Sequence, residues 1–197
     1  GGLNRIIHYR DEIHSELTNA QCSKIQSRKR NYYGNLIKLG KIKVRPGVLR
    51  LIKELADYDV KQFIVTTSGR ESIDPFLHNS LYSHLKFFSH LITYEDVRNH
   101  KPSPDAYQLA LKLSNKSNKN CIVIEDSSIG IEAANAANLK CLLTLPPWSD
   151  SYQNISKNAD ACVDSIGNKY INSKIIYGKP LYSKYVDWAY LSSIINS

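Results

Sequence analysis

The chain has no methionine in its 197 residues and begins with glycine. Gly1-Gly2-Leu3 runs straight into a helix-like pattern, so the chain reads as a fragment or processed form. No apolar run approaches the ~20 residues of a membrane-spanning helix, and no signal peptide opens the chain, so no membrane partner is expected. The four cysteines (Cys22, Cys121, Cys141, Cys162) make no CxxC pair. That argues against zinc and for reduced core thiols in a cytoplasmic-type protein. Internal repeats and low-complexity segments are also lacking.

The charge is uneven. The net value of +8 allows contact with nucleic acid, or equally a small, highly anionic substrate. The densest basic run, Lys24 to Arg30, lies in a helix-like segment without a zinc-finger, RRM or KH signature. A solvated helix face accounts for it, and no nucleic-acid partner is expected.

The texture of the chain changes at Arg45-Pro46-Gly47. Before it, residues 1–44 carry helical spacing and no strand alternation, as in a small all-α unit. After it, residues 45–197 alternate helix and strand patterns. Val48 to Leu55 spells an amphipathic helix and Gln62 to Thr66 a buried strand. A helix over Ser72 to Leu81 and a short strand at Leu91-Ile92-Thr93 follow. Pro104 to Leu113 is a helix with proline in its first turn. Cys121 to Ile124 is an apolar strand, the Ala-rich stretch after Ser128 a helix, and Cys141 to Leu145 and Ala159 to Val163 are strands. Residues 146–158, with Trp148, form a loop, and Tyr185 to Ile195 forms a terminal amphipathic helix packed on the core. This order predicts an α/β fold, a Rossmann-like parallel sheet with helices on its faces.

Three groups of polar residues sit where such sheets bind ligands, at the carboxyl ends of strands. The first strand ends in Thr66-Thr67-Ser68-Gly69, which offers hydroxyls and approachable backbone N–H groups. His100-Lys101-Pro102-Ser103-Pro104 holds one lysine in a stiffened loop. Glu125 and Asp126 close the next strand, and two hard oxygen ligands there suit Mg²⁺ better than Zn²⁺. The acids could instead cap the following helix. Converging on one sheet edge, hydroxyl, lysine and acid pair would make a phosphate-plus-Mg²⁺ site.

The ordered set FIVTTSGR, KPSPDAY and VIEDSSIGIEAANAAN resembles motifs II, III and IV of the haloacid dehalogenase superfamily. The form KPxPDxY followed by EDSxxGxxAAxxA resembles its β-phosphoglucomutase and CbbY-like branch. GGLNRIIHY is similar to part of the helical cap of CbbY-like members, so residues 1–44 would be a partial cap. The resemblance covers roughly residues 1–165. It implies that Thr66 bonds the transferring phosphoryl group, that Lys101 holds nucleophile and phosphate, and that Glu125 and Asp126 bind Mg²⁺. Gly1, Gly2 and Arg5 would bind substrate from the cap, and Thr67 and Ser68 from the core; His8 would be a helix residue. The implied activity is hydrolysis of a phosphorylated sugar through a phospho-aspartate by a monomeric enzyme, with a phosphomutase or a non-catalytic anion-binding module as alternatives.

One departure matters. The superfamily's nucleophile lies in an Asp-x-Asp motif after the first core strand. The only Asp-x-Asp here, Asp57-Tyr58-Asp59, follows a helical pattern and precedes Val60-Lys61, as a polar turn would. The chain as given is therefore expected to lack the nucleophile and to show no turnover alone.

Overall fold

The computed structural model describes residues 2–13, 16–146 and 158–197, with the side chains of Asn4 and Arg5 left out. Gly1 and the expected Trp148 loop lie outside the described residues.

Two helices come first, α1 (Gly2–Glu12) and α2 (Asn19–Lys38). Thr18 and Gln21 start α2 with a capping box, in which Thr18 Oγ1 accepts from Gln21 N at 3.2 Å and Gln21 Oε1 from Thr18 N at 2.7 Å. The basic run Lys24 to Arg30 is solvated, with Lys24, Arg28, Lys29 and Arg30 all exposed. His8 is a surface residue whose Nε2 lies 3.3 Å from Glu12 one turn on.

Gly47 opens the core with a φ of 85°. A Cβ there would lie 1.9 Å from the Gly167 carbonyl oxygen, so only glycine fits this close approach. Helix α3 (Val48–Asp57) follows and buries Leu51, Ile52 and Leu55 on one stripe. Asp57 ends α3 and Asp59 stands at φ 55° in the turn before β1 (Gln62–Val65). The Asp-x-Asp is a turn, as expected, and lies at the amino end of the strand.

Helix α4 (Arg70–Phe76), strand β2 (Phe88–Ile92) and helix α5 (Asp105–Ser114) come next. Strand β3 (Ile122–Glu125), helix α6 (Ser128–Ala136), strand β4 (Lys140–Thr144) and strand β5 (Ala161–Val163) continue the alternation. The chain ends with β6 (Ile175–Tyr177) and α7 (Trp188–Ile195). The terminal helix starts later than the apolar pattern suggests, because Asp187 Oδ1 caps it by accepting from Tyr190 N at 2.8 Å.

Helices cover both faces of the strands. On β4, Cys141 and Leu143 pack under α6 beside Ile131, Ala133 and Ala134, while Leu142 points to the other face with Leu51, Leu55 and Leu191. This alternation on a strand buried on both sides is why it reads as a continuous apolar run. The Arg50 guanidinium ties α3 to the tail through Glu54 and the Val186 carbonyl, and Glu54 Oε1 accepts from Trp188 N at 2.8 Å.

The sheet departs from a single parallel one in two ways. Strand β6, hidden in the Tyr-rich tail by its three-residue length, pairs antiparallel with β5. More importantly, the strands form two separate groups among the described residues. β1 pairs with β2 in parallel, and β3, β4, β5 and β6 form a second sheet in that order. Between β1 and β3 lies a cavity of about 770 Å³, walled by both strands. Ile124 shows what the gap does. It sits mid-strand between buried Val123 and Glu125, yet is 40% exposed. Among the described residues no helix is long and apolar enough to cross a membrane.

Candidate active site

A second cavity, of about 360 Å³, opens at the carboxyl ends of β1 and β3. Thr66, Thr67, Lys101, Glu125, Asp126 and Arg45 are among the residues that line it. Three loops after strands thus bring their polar groups together, as the order of the motifs led one to expect.

Lys101 is the centre of the arrangement. Its Nζ lies 2.5 Å from Glu125 Oε1, 2.9 Å from the Tyr107 hydroxyl and 3.0 Å from the Val65 carbonyl oxygen. Lys101 and Glu125 are 7% and 9% exposed, so each depends on the other for its charge to stay buried. The Tyr107 hydroxyl donates to the same Glu125 oxygen. Burial, then the Glu125 charge, drives the Tyr107 phenol far up, so it stays a protonated donor.

The two acids behave differently. Glu125 points inward, and its Oε2 accepts from Asp126 N at 3.2 Å and Ser127 Oγ at 3.3 Å. A Cβ at Gly130 would meet this carboxylate at 2.0 Å, so the glycine in the first turn of α6 makes room for it. Asp126 is exposed to the cavity. Burial of its flanks and the neighbouring Glu125 charge raise its carboxyl above the ordinary value, while Arg45 and Lys101 pull it down. Neither acid caps α6; Ser127 does, its Oγ accepting from Gly130 N at 3.3 Å.

Thr66 lines the cavity and its Oγ1 accepts from Ser68 N at 3.0 Å, which folds the loop after β1 into a tight turn. Ser68 is not among the lining residues. Gly2 lies on α1 against Gln26 of α2 and is not among them either. Gly1 and the Arg5 side chain lie outside the described residues.

Two lining residues went unassigned in the sequence. Arg45, read only as part of a punctuation mark, reaches Thr144 Oγ1 at 3.2 Å, the Leu145 carbonyl at 2.6 Å and the Asp164 carbonyl at 3.0 Å. It clamps the ends of β4 and β5 beside Asp126 and adds a cation to the cavity. Thr144 Oγ1 in turn donates to the Glu125 carbonyl at 3.3 Å. Nothing in the sequence marks this pairing, because its partners lie about 100 residues away.

The donors suit a divalent cation only in part. Asp126 offers a hard oxygen to the cavity, but Glu125 is engaged with Lys101 and Tyr107. Among the described residues no group of three or more His, Cys, Asp or Glu side chains could hold a metal ion.

Residues 4–144 match the model of the haloacid dehalogenase-like hydrolase family. Protein CbbY of Rhodobacter capsulatus is 28% identical over 145 residues, which are 73% of this chain and 64% of that protein. A phosphorylated carbohydrates phosphatase of Thermotoga maritima is 28% identical over 130 residues, 66% of this chain and 56% of that protein. Among solved structures, a mutant CbbY from Rhodobacter sphaeroides, in complex with xylulose-(1,5)bisphosphate, superposes with a TM-score of 0.71 at 25% identity, covering 84% of this chain and 73% of that one. A β-phosphoglucomutase of Clostridium difficile gives the same TM-score of 0.71 at 20% identity, over 100% of this chain and 77% of that one, a likeness of fold. The chain spans 12% to 64% of the length of the first four curated relatives it matches. With the ordered strand-end motifs and this family match over most of its length, the chain belongs to the haloacid dehalogenase-like hydrolases.

Proposed function

We propose that this chain carries most of the core of a phosphatase acting on a phosphorylated sugar. The observation that supports it best is the Lys101–Glu125 pair held beside Thr66 and Asp126 at one cavity. A lysine ammonium fixed by a buried carboxylate and a phenol is a rigid positive point for a phosphoryl group. The Thr66 hydroxyl and the backbone N–H groups of its turn orient the phosphoryl oxygens. Asp126 is the carboxylate free to face a Mg²⁺ ion, which when bound would offset phosphoryl charge. The other ligands must come from outside the described set. Glu125 serves in this reading to hold Lys101.

The reaction needs an aspartate that attacks phosphorus in line, and then water to release phosphate from the phospho-aspartate. Asp57 and Asp59 do not supply it, since they stand at the opposite end of β1 from Thr66. The nucleophile belongs to a segment outside these residues, and the 197-residue chain has no turnover by itself. The CbbY complex with xylulose-(1,5)bisphosphate favours a substrate of that class, with Arg5 the cap residue that would serve the distal phosphate.

The test is release of phosphate from pentulose bisphosphates and hexose monophosphates, with Mg²⁺, by this chain and by a version extended at its amino end. The extended form should turn over, and Lys101→Ala or Asp126→Asn in it should cost at least about a hundredfold in kcat. Turnover by the short chain that Asp57→Asn abolishes, or full activity in both variants, would overturn the reading. A phosphomutase of the same fold would instead yield an isomeric sugar phosphate, which product analysis separates.

A further inference from the structure

The segment from Lys169 to Lys184 lies beyond the residues that match the family, and none of it lines the cavity at Lys101. It carries a lysine at every fifth residue (Lys169, Lys174, Lys179, Lys184), three tyrosines between them, and no acid. The flanking acids are engaged. Asp164 Oδ1 accepts from Lys174 N at 2.8 Å, and Asp187 caps α7. Tyr170 and Tyr182, 81% and 78% exposed, are the most exposed large apolar side chains among the described residues. Their setting is ordered. Asn168 Oδ1 accepts from Tyr170 N at 2.9 Å and from Ile171 N at 3.0 Å, which fixes the turn that displays the Tyr170 ring. Ser173 N donates to Lys184 O at 2.8 Å, so the stretches around Lys174 and Lys184 run side by side. Lys169 Nζ stands 4.7 Å from the centre of the Tyr170 ring. Lys179 is spent on the Ser193 carbonyl at 2.8 Å. Lys169, Lys174 and Lys184 have no ion-pair partner among the described residues.

We infer that the face made by Tyr170, Tyr182, Lys169, Lys174 and Lys184 binds single-stranded RNA. Rings and cations alternating along an ordered backbone match a polymer in which bases and phosphates alternate. The ammonium groups meet phosphates, and the tyrosine rings stack on bases. A duplex offers the phosphates but hides the base faces, so the rings would go unused. A lipid surface takes up a contiguous apolar face, and here the lysines interrupt it. Both rings are open to solvent, so nothing at them would hold two DNA strands apart. The occupant is a strand already unpaired, as in the loops of RNA. The expectation of no nucleic-acid partner came from the Lys24 to Arg30 run, which belongs to a different element, α2. The inference does not rest on the phosphatase reading.

The experiment titrates a fluorescein-labelled decauridylate with hydroxyl ends against the 197-residue chain and follows its anisotropy. Saturable binding is expected, with a slope of log affinity on log salt of about −2, from three lysines at ~0.7 each. The pair Tyr170→Ala and Tyr182→Ala should weaken binding at least about tenfold. Both side chains are exposed, so the denaturation midpoint should stay in place. Phenylalanine at both positions should restore the affinity. Lys174→Gln with Lys184→Gln should flatten the salt slope, whereas Lys24→Gln with Arg28→Gln should change affinity less than about twofold. Inorganic phosphate at matched ionic strength should not displace the strand, since the cavity at Lys101 is not its site. Decathymidylate should bind within about threefold, because neither rings nor lysines read the 2′ hydroxyl. Absence of binding, tyrosine variants that bind as the parent does, or displacement by phosphate would overturn the inference. So would loss of binding in the α2 variant, equal affinity for an RNA duplex, or a preference for the DNA strand of about tenfold or more. Stronger retention on phosphatidylserine vesicles, lost with the two tyrosines, would assign the face to a membrane and overturn it too.

Discussion

Lys101 and Glu125 are joined at 2.5 Å while almost wholly buried, and each is the other's ion-pair partner among the described residues. Removing one leaves the other as an uncompensated charge in the interior. Lys101→Ala and Glu125→Ala should each cost about 3–5 kcal/mol. The double variant should cost clearly less than the sum, because neither charge is then orphaned. Urea denaturation of the four chains measures this, and simple additivity would show that the pair is not coupled.

Tyr107 supports the same carboxylate. Tyr107→Phe removes one hydrogen bond to a charged group and leaves the ring in place. It should lower stability by about 1.5–3 kcal/mol, read from the shift of the denaturation midpoint. A loss within error would mean that the hydroxyl is not part of the clamp.

Glycines separate into two kinds. Gly130→Ala sets a methyl carbon on the Glu125 carboxylate and should cost about 1–3 kcal/mol by forcing it aside. Gly34 stands inside α2 with open space around it. Gly34→Ala should therefore stabilise the helix by about 0.5–1 kcal/mol. Thermal melts of both variants test the contrast in sign.

Asp96 gives the acid limb of stability. Its Oδ2 accepts from Thr93 N and from Thr93 Oγ1, each at 2.7 Å, and it pairs with Arg70 at 3.1 Å. The Thr93 backbone and hydroxyl hold its carboxyl below the usual value, with Arg70 adding to them. A carboxylate depressed in the folded state stabilises above its unfolded pKa and loses that contribution as pH falls through its folded value. Asp96→Asn should thus be destabilised at pH 7, by about 1 kcal/mol on the scale of a lost cap. The difference from the parent should shrink toward pH 3. Urea titrations at the two pH values decide it; a constant difference would rule out this linkage.

The thiols should differ in reactivity. Cys22, Cys141 and Cys162 are buried. Burial pushes the Cys141 thiol up to about 12 and the Cys162 thiol up to about 11. Cys121 is only partly covered, at the foot of β3. Native-state alkylation with mass analysis should modify Cys121 first, and the other three only on unfolding.

Much of the core was legible because strands buried on both faces write themselves as continuous apolar runs. Cys121 to Ile124 and Cys141 to Leu145 announced β3 and β4 to within a residue. The gathering of Thr66, Lys101 and Asp126 at one cavity was legible because each lies in a loop that follows a strand. What stayed hidden depends on contacts distant in sequence. The inward turn of Glu125 is set by Lys101 and Tyr107, and the role of Arg45 by carbonyls at Leu145 and Asp164. Adjacent acids look equivalent in a sequence, and only packing tells them apart. The division of the sheet was equally invisible, since no residue records which edge its neighbour leaves open.

The three contacts of Lys101 have one more consequence. An ammonium has three protons, and here all three are taken, by Glu125, the Tyr107 oxygen and the Val65 carbonyl. An anion entering the cavity finds no idle donor on this cation and must compete with a backbone oxygen for it. Binding an anion on Lys101 therefore means giving up one of its three contacts, and the Val65 carbonyl is the neutral partner that can be released to solvent.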